Sequence, residues 1–441
     1  MKQTIFMAIV TGWGVVGPMF DPSIGVAVYY LFAVLRPQYL WQWALPADIS
    51  WSLYVALATI GGTFAHTLLR MGAPRAPKRF TLTHLLVMAF AIWISVTCVT
   101  AIDPATAYPW WLEYIKIFVM FGVATIALNS INNLRMLMII TALCLGYIAY
   151  EINFLYIFDS YLGVYHNGWG GLDNNGAGLM LAMGAPLCLA VWDMERRWWR
   201  WVFASLIPPL VHAVLMTYSR GAMVALALAA PLIIIRSRRP KQMTMATVVV
   251  GAMLPILAGN EIRARFFSVQ TYEQDQSAQS RLGSWNAAWL IAKDHPVLGV
   301  GIRNSQLISF RYGADEKGRV IHSQYLQLLA DCGFPALTLY LGLLFSTWMN
   351  VRRTRKAARG GTREEDRRAL GVALGVETSM AVFCIGALFL SLEVFELPWL
   401  MVLLGAQVRA LYVTEAEERE FEVTSRAPVW SPAVLPSPRT S

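Results

Sequence analysis

Charge is scarce in this chain. Of 441 residues only 14% are Asp, Glu, Lys or Arg, while 56% are hydrophobic; a soluble domain carries roughly a quarter charged residues. That balance excludes an ordinary soluble globular enzyme and leaves a polytopic membrane protein. Cysteine is sparse as well. Cys98, Cys144, Cys188, Cys332 and Cys384 are scattered through apolar segments. They have no metal-ligand spacing, and an odd number argues against a full disulfide framework. They read as small buried hydrophobes. Familiar catalytic signatures are missing too. No Asp-x-Asp pair stands in an outer loop beside a helix end, so a metal-diphosphate site has little support. No GxSxG, HExxH, Walker loop or dinucleotide fingerprint occurs, and Gly299-x-Gly301 is a turn without strand–helix context. Neither metal nor cofactor is expected. No matched pair of interrupted helices suggests a transporter repeat.

What is present is a succession of long apolar runs, such as residues 82–102 and 134–150, close to the roughly 20 residues a spanning helix needs. Backbone groups in lipid must be satisfied internally, so these runs are helices. The expected fold is all-α, a polytopic bundle of about 12 transmembrane helices, with a large periplasmic loop that itself contains helices. The net charge is +9, and its densest basic clusters lie at 70–79, 195–200, 236–241 and 352–368. That is the positive-inside pattern of cytoplasmic loops, not a nucleic-acid surface. No cleavable signal peptide is evident, so the first apolar segment is expected to remain. Its Gly-Pro and Asp-Pro breaks at 17–23 suit a short hairpin.

The basic loops orient the rest. Residues 1–259 form the first part of the bundle, 260–324 an outer loop, 325–413 the closing helices and 414–441 a charged, then Pro/Ser-rich tail expected to be disordered. A second outer loop covers 154–174. Within 260–324, Leu282, Trp285, Trp289 and Leu290 fall near one face of a predicted helix, and His295-Pro296 stops it. Eight Lys/Arg stand there against six Asp/Glu, so this is no polybasic arm; it reads as a small folded cap on the bundle.

Three residues in outer positions carry the candidate chemistry. Arg220 sits between two apolar spans at the outer face, against the positive-inside bias. It is either a snorkelling arginine or a guanidinium aimed at phosphate. Arg281, at the start of the loop helix, is a plain surface arginine unless it meets Arg220 over one cavity. His322 opens the next span and is either a hydrogen-bonded interfacial histidine or a general base; Tyr325 follows one turn later. Arg263 and Arg265 serve as headgroup anchors or weaker phosphate ligands. His66, His84 and His212 are expected to pack, and His166 and His295 have no evident partner.

Three motifs in order then resemble a known family. SRGA ends a span, SAQSRLGSWNAAWLIAKDHPVLGVG fills the outer loop, and HSQYLQLLADCGFPAL opens the next span. Together they resemble the O-antigen ligase and polymerase superfamily over about 175–345. The N-terminal DPSIGVAVYYLFAVLRPQYLW is similar to the branch of O-glycosylation ligases associated with bacterial exosortase systems. The resemblance implies a GT-C-like, metal-independent glycosyltransferase of the bacterial inner membrane. Its donor would be a glycan on undecaprenyl diphosphate at the periplasmic face, and its acceptor a lipid A–core sugar hydroxyl, both among membrane lipid and with no nucleic acid partner. The family's outer arginines fall at Arg220 and Arg281 and its loop histidine at His322. Asn174 and Asn175 match an Asn-Asn pair before a span, and Ser323 stands where Asn is common. Arg263, Arg265, Tyr325, Asn174, Asn175 and Trp285 complete the candidate substrate-binding set. Protein O-oligosaccharyltransfer and O-antigen polymerisation would use the same donor. A lipid or glycan transporter, a different class, would need more mid-span ionisable residues than Glu151 and Glu377.

Overall fold

Several helices start just after an Asp or Ser whose side chain caps the first turn, and two of these caps are followed by Pro. The computed structural model describes residues 2–46, 48–69, 80–237, 239–245, 247–248, 276–314, 320–392 and 394–426. Among these residues the fold is all-helical, with one isolated bridge between Trp169 and Leu172 and no strand. The helices are α1 Lys2–Val16, α2 Pro22–Leu35, α3 Trp51–Leu68, α4 Leu82–Val99, α5 Pro104–Ala127, α6 Ile131–Asp159 and α7 Asn174–Met194. They continue as α8 Arg200–Met216, α9 Arg220–Arg236, α10 Gln276–Asp294, α11 Gln324–Ala358, α12 Glu364–Gly386 and α13 Glu396–Arg426. Asp21, Asp103, Asp173, Ser130 and Ser219 cap α2, α5, α7, α6 and α9 with their side chains, each satisfying an amide the helix cannot.

Among the described residues, six helices are long and apolar enough to cross a membrane: α4, α5, α6, α7, α11 and α12. α2 and α8 are apolar but shorter, because Arg36-Pro37 stops one and a tight elbow at 217–219 stops the other. The apolar stretch 244–259 lies largely, and the basic cluster 70–79 wholly, outside the described residues. α5 begins at Pro104, a full three turns before the apolar run at 115–128 suggests. Trp110, Glu113 and Lys116 interrupt the hydropathy there without interrupting the helix.

α7 is the axle. In its apolar window 94% of residues are buried, and α6, α8, α9 and α12 pack on it from all sides. Gly178, Ala182 and Gly184 let those neighbours approach closely, the way small residues pack helices in lipid. At the end of the bundle opposite His322, Glu377 of α12, with its side chain 1% exposed, takes Nε and Nη2 of Arg236 from α9 at 3.1 Å each and Nη1 of Arg355 from α11 at 3.3 Å. One mid-span acid is thus neutralised by two helices. The other, Glu151, accepts from the Tyr147 hydroxyl. The cysteines are free thiols, four of them buried.

α10 and the residues after it build a second, small core of Ala288, Ile291, Val300, Ile308, Ile321 and Ala330, so the outer loop folds onto the start of α11. The buried face of α10 is Ser284, Ala287, Ala288, Ile291 and Ala292. The face of Leu282, Trp285, Trp289 and Leu290 is not the buried one: Leu282 and Trp289 are 49% and 42% exposed. Alanines allow α10 to lie close, and the Trp289 ring is left largely outside, with the Lys293 ammonium 5.6 Å from its centre.

Candidate active site

α11 is broken at Gly333, whose φ of 79° and ψ of 176° are not helical. Residues 296–301 run along that break. Val300 and Gly301 donate their amides to the carbonyls of Ala330 and Asp331, at 3.2 and 2.7 Å, and Phe334 donates to Pro296 at 2.9 Å. Only glycine fits at 299, where φ is 63° and a Cβ would stand 2.4 Å from the carbonyl carbon and oxygen of Asp331. The Gly-Val-Gly turn is therefore a close-approach device.

On the first half of α11, Gln327 and Asp331 stand four residues apart and share a face, and Ser323 is the N-cap residue four positions before Gln327. Asp331, 1% exposed, accepts from the amides of Arg303 and Ser305, both at 2.9 Å. It also accepts from Gln327 Nε2 at 2.7 Å, and the same Nε2 donates to Ser305 Oγ at 2.9 Å. Gln327 Oε1 accepts from the Ile321 amide at 3.1 Å and from Ser391 Oγ at 3.4 Å. Ser391 Oγ accepts from the Ser323 amide at 3.2 Å. Gln324 Oε1 takes the Leu392 amide at 2.7 Å. One buried network thus fixes the turn bearing Arg303, both neighbours of His322, and the 387–392 link between α12 and α13.

Backbone strain collects at the same place. Among the described residues five non-glycine residues have positive φ: Arg36, Ser160, Tyr218, Arg303 and His322. Such conformations cost of order 1–3 kcal/mol each and persist where the surroundings impose them. Arg36, Arg303 and His322 line one cavity. His322, at φ 56°, lines a cavity of about 910 Å³ together with Arg36, Lys116, Glu113, Arg303 and Glu396. Arg303 is 8% exposed and its guanidinium lies 4.2 Å from the centre of the Trp110 ring. Asn304 secures that stack. Its Oδ1 accepts from the Asp103 amide at 2.7 Å, and its Nδ2 donates to the Asp103 carbonyl at 3.3 Å, tying the turn to the start of α5. Arg36 donates to the Gly170 carbonyl and pairs with Glu396 at 3.3 Å.

Arg220 opens α9 just past the α8–α9 elbow. The Asn174 side-chain amide donates to the Thr217 carbonyl at 3.0 Å, and Gly178 brings α7 against Thr217, Ser219 and Ala222, so α7 props the elbow. Asn175 bonds to Asp173 and to the Asn174 side chain instead, each at 3.2 Å. Tyr218 packs on Tyr165 of the second outer loop, ring centres 4.8 Å apart. The residue after Arg220, Gly221, faces Phe389 and Leu390. Trp285 meets Phe389 at 6.4 Å between ring centres, and Arg281 stands one helical turn before Trp285 on the same face of α10. The 387–392 link is therefore the common wall: the elbow of Arg220 and the α10 face of Arg281 abut Phe389, while the network beside His322 ends on Ser391. Tyr325 turns into the bundle, donating its hydroxyl to the Cys384 carbonyl at 3.0 Å. His66, His84 and His212 are held inside by Met19, Thr81 and Asn153. Arg263 and Arg265 lie outside the described residues.

Sequence reasoning missed Arg36, Trp110, Arg303, Gln327 and Asp331. Two signals were there: polar residues every four positions at the start of an apolar helix, and an arginine followed by proline at the outer end of a span. Among the described residues no group of three or more His, Cys, Asp or Glu side chains could hold a metal ion. No curated protein matches the chain. Residues 209–341, from the last turns of α8 into the second half of α11, match a family model described as O-Antigen ligase. That segment, which carries Arg220, Arg281, Arg303 and His322, is similar to the O-antigen ligase family.

Proposed function

We propose that the protein moves a glycan from undecaprenyl diphosphate to a sugar hydroxyl of lipid A–core at the periplasmic face of the bacterial inner membrane. The family it is similar to is one of ligases and polymerases acting on lipid-linked glycans; the donor, the acceptor and the roles below are our reading. The acceptor oxygen attacks the anomeric carbon, forming the new C–O bond as the bond from that carbon to the diphosphate oxygen breaks. The hydroxyl proton passes to the His322 imidazole, and the diphosphate leaves with the lipid. Arg220 and Arg281 face the charge that develops on the leaving diphosphate, a role that metal ions fill in other enzymes. A single displacement inverts the anomeric centre.

The observation that carries this reading is the buried Asp331–Gln327–Ser391 network. It holds both amides flanking a left-handed His322 and the link against which Gly221 and Trp285 lie. Sites that must act without reorganising are built in this way. The test is transfer from undecaprenyl-diphosphate glycan to purified lipid A–core, in EDTA, by wild type, His322→Ala and Arg281→Ala. The expected result is product from wild type, none from His322→Ala, and a loss on the order of 10²–10³-fold for Arg281→Ala. Full transfer by Arg281→Ala would refute the paired-arginine role. A glycosylated protein or an elongated glycan in place of lipid A–core product would move the assignment to O-oligosaccharyltransfer or polymerisation.

A further inference from the structure

Arginines at the end of the bundle opposite His322 are held in two different ways. Arg135 of α6 pairs with Glu195, and Arg236 and Arg355 share Glu377. Arg200, which opens α8, and Arg239, three residues past the end of α9, lie on indoles instead. Their guanidinium carbons are 5.7 and 5.1 Å from the centre of one ring, that of Trp192 near the end of α7. Arg200 is also 5.1 Å from the Trp201 ring centre. Among the described residues neither arginine pairs with a carboxylate. Two acids stand nearby. Glu195 is taken by Arg135 through both of its oxygens, and Asp193 projects about 100° further round α7 than Trp192. Over residues 192–200 and 236–241, seven Lys or Arg stand against those two acids, so the charge here is positive even with both counted.

A guanidinium stacked by its face on a ring keeps its edge of N–H donors for another partner. Trp192 adds a donor of its own. It is 9% exposed, and its buried Nε1 has no partner among the described residues. A buried donor left unpaired is costly. Two guanidinium edges and an indole N–H, with no acceptor among them, fit the oxygens of a phosphate. Depth in the bilayer says which phosphate. Trp198 and Trp201, beside the two arginines, are 81% and 56% exposed, and tryptophans left outside at the end of a spanning bundle sit at headgroup level. Val202 of α8 and Ile235 of α9, 41% and 69% exposed, put aliphatic surface next to the charge. Positive charge at headgroup depth with aliphatic flanks describes a phospholipid rather than a soluble anion.

We propose that Arg200, Arg239 and Trp192 form a site for the headgroup phosphate of one anionic phospholipid, whose acyl chains lie along Val202 and Ile235. The site is at the opposite end of the bundle from His322 and does not depend on the reaction assigned above. A lipid bound there ties the start of α8 and the segment after α9 to the end of α7. Those are the two helices that meet at the Arg220 elbow at their other ends.

The test is native mass spectrometry of the delipidated full-length protein, titrated in detergent with phosphatidylglycerol, phosphatidylcholine or inorganic phosphate. Wild type should bind one phosphatidylglycerol more tightly than any further lipid. Arg200→Gln combined with Arg239→Gln should weaken that binding roughly 100-fold, about tenfold for each charge-assisted donor removed. Trp192→Phe keeps a ring and removes the N–H; it should weaken binding about fivefold, and it carries the test if the double variant does not fold. Arg352→Gln removes another arginine of the same end, 5.2 Å from the Trp348 ring centre. It should change binding by no more than about fivefold, the share of general surface charge. Phosphatidylglycerol should raise the Tm of wild type and not that of the double variant. Equal binding of phosphatidylcholine, or a loss in Arg352→Gln as large as in the double variant, would overturn the site. So would wild-type affinity in both Trp192→Phe and the double variant. Displacement of the lipid by inorganic phosphate would make this a soluble-anion site and overturn the lipid assignment.

Discussion

Asp331→Asn changes one atom and no volume, which makes it the sharpest probe of the site. The two oxygens of Asp331 accept three hydrogen bonds, Ser305 N on Oδ1 and Arg303 N with Gln327 Nε2 on Oδ2. An asparagine must turn its NH2 toward one side. In the less costly orientation it meets the Ser305 amide, donor against donor; in the other it meets two donors. One buried amide left unsatisfied costs about 1–3 kcal/mol, and two bonds that lose a charged acceptor weaken by roughly a further 1 kcal/mol together. If the resulting 2–4 kcal/mol appears as misplacement of Arg303 and His322, kcat/KM falls roughly 30- to 1000-fold. The assay is glycan transfer with donor and acceptor varied separately, beside thermal unfolding of the same preparation. Donor kcat/KM should fall well beyond what the loss of folded protein explains. Activity within about threefold of wild type, or a lowered Tm with unchanged kcat/KM for the folded fraction, would refute the positioning role.

Two glycines on the same loop should respond with opposite signs. Gly299→Ala, at positive φ and 2.4 Å from the Asp331 carbonyl, should cost more than about 1–3 kcal/mol and reduce folded yield. Gly283→Ala, inside α10 where a Cβ would stand 3.9 Å from the Gly313 carbonyl oxygen, should stabilise by about 0.5–1 kcal/mol, read as a rise in Tm in detergent. Glu377→Ala leaves Arg236 and Arg355 facing each other without their shared carboxylate. It should lower stability by roughly 3–5 kcal/mol, and a Tm equal to wild type would show that the pair contributes little.

Much of the bundle could be read from hydropathy, because a helix in lipid must be apolar for nearly its whole length. The reading faltered where a helix borders a polar cavity. The first turns of α5 carry Trp110, Glu113 and Lys116 for that reason, and their hydropathy does not mark a span. The outer arginines and His322 were legible because each breaks a rule, charge outside or charge beside lipid. What they share was not legible. Phe389 and Ser391 are unremarkable in the sequence, and their part as a common wall depends on the turn between α12 and α13 folding back over α11. Arg303 was hidden in a glycine turn; its stack on Trp110 joins residues 193 positions apart through the Asn304–Asp103 staple. The i, i+4 spacing of Ser323, Gln327 and Asp331 was open to inspection, but a polar stripe names no partner until the neighbouring helices are in place.

The ion cluster at Glu377 also has a consequence for biogenesis. Arg236 and Glu377 are 141 positions apart. At a synthesis rate of about 5–20 residues per second, α9 waits roughly 7–28 s before its counter-charge leaves the ribosome. The wall at the other end of the bundle arrives later still, since Ser391 follows Gln327 by 64 positions. Vectorial insertion therefore delivers Arg220, Arg281 and His322 first and the link that organises them last. A nascent chain acquires these three side chains well before it acquires the wall that brings their elements together.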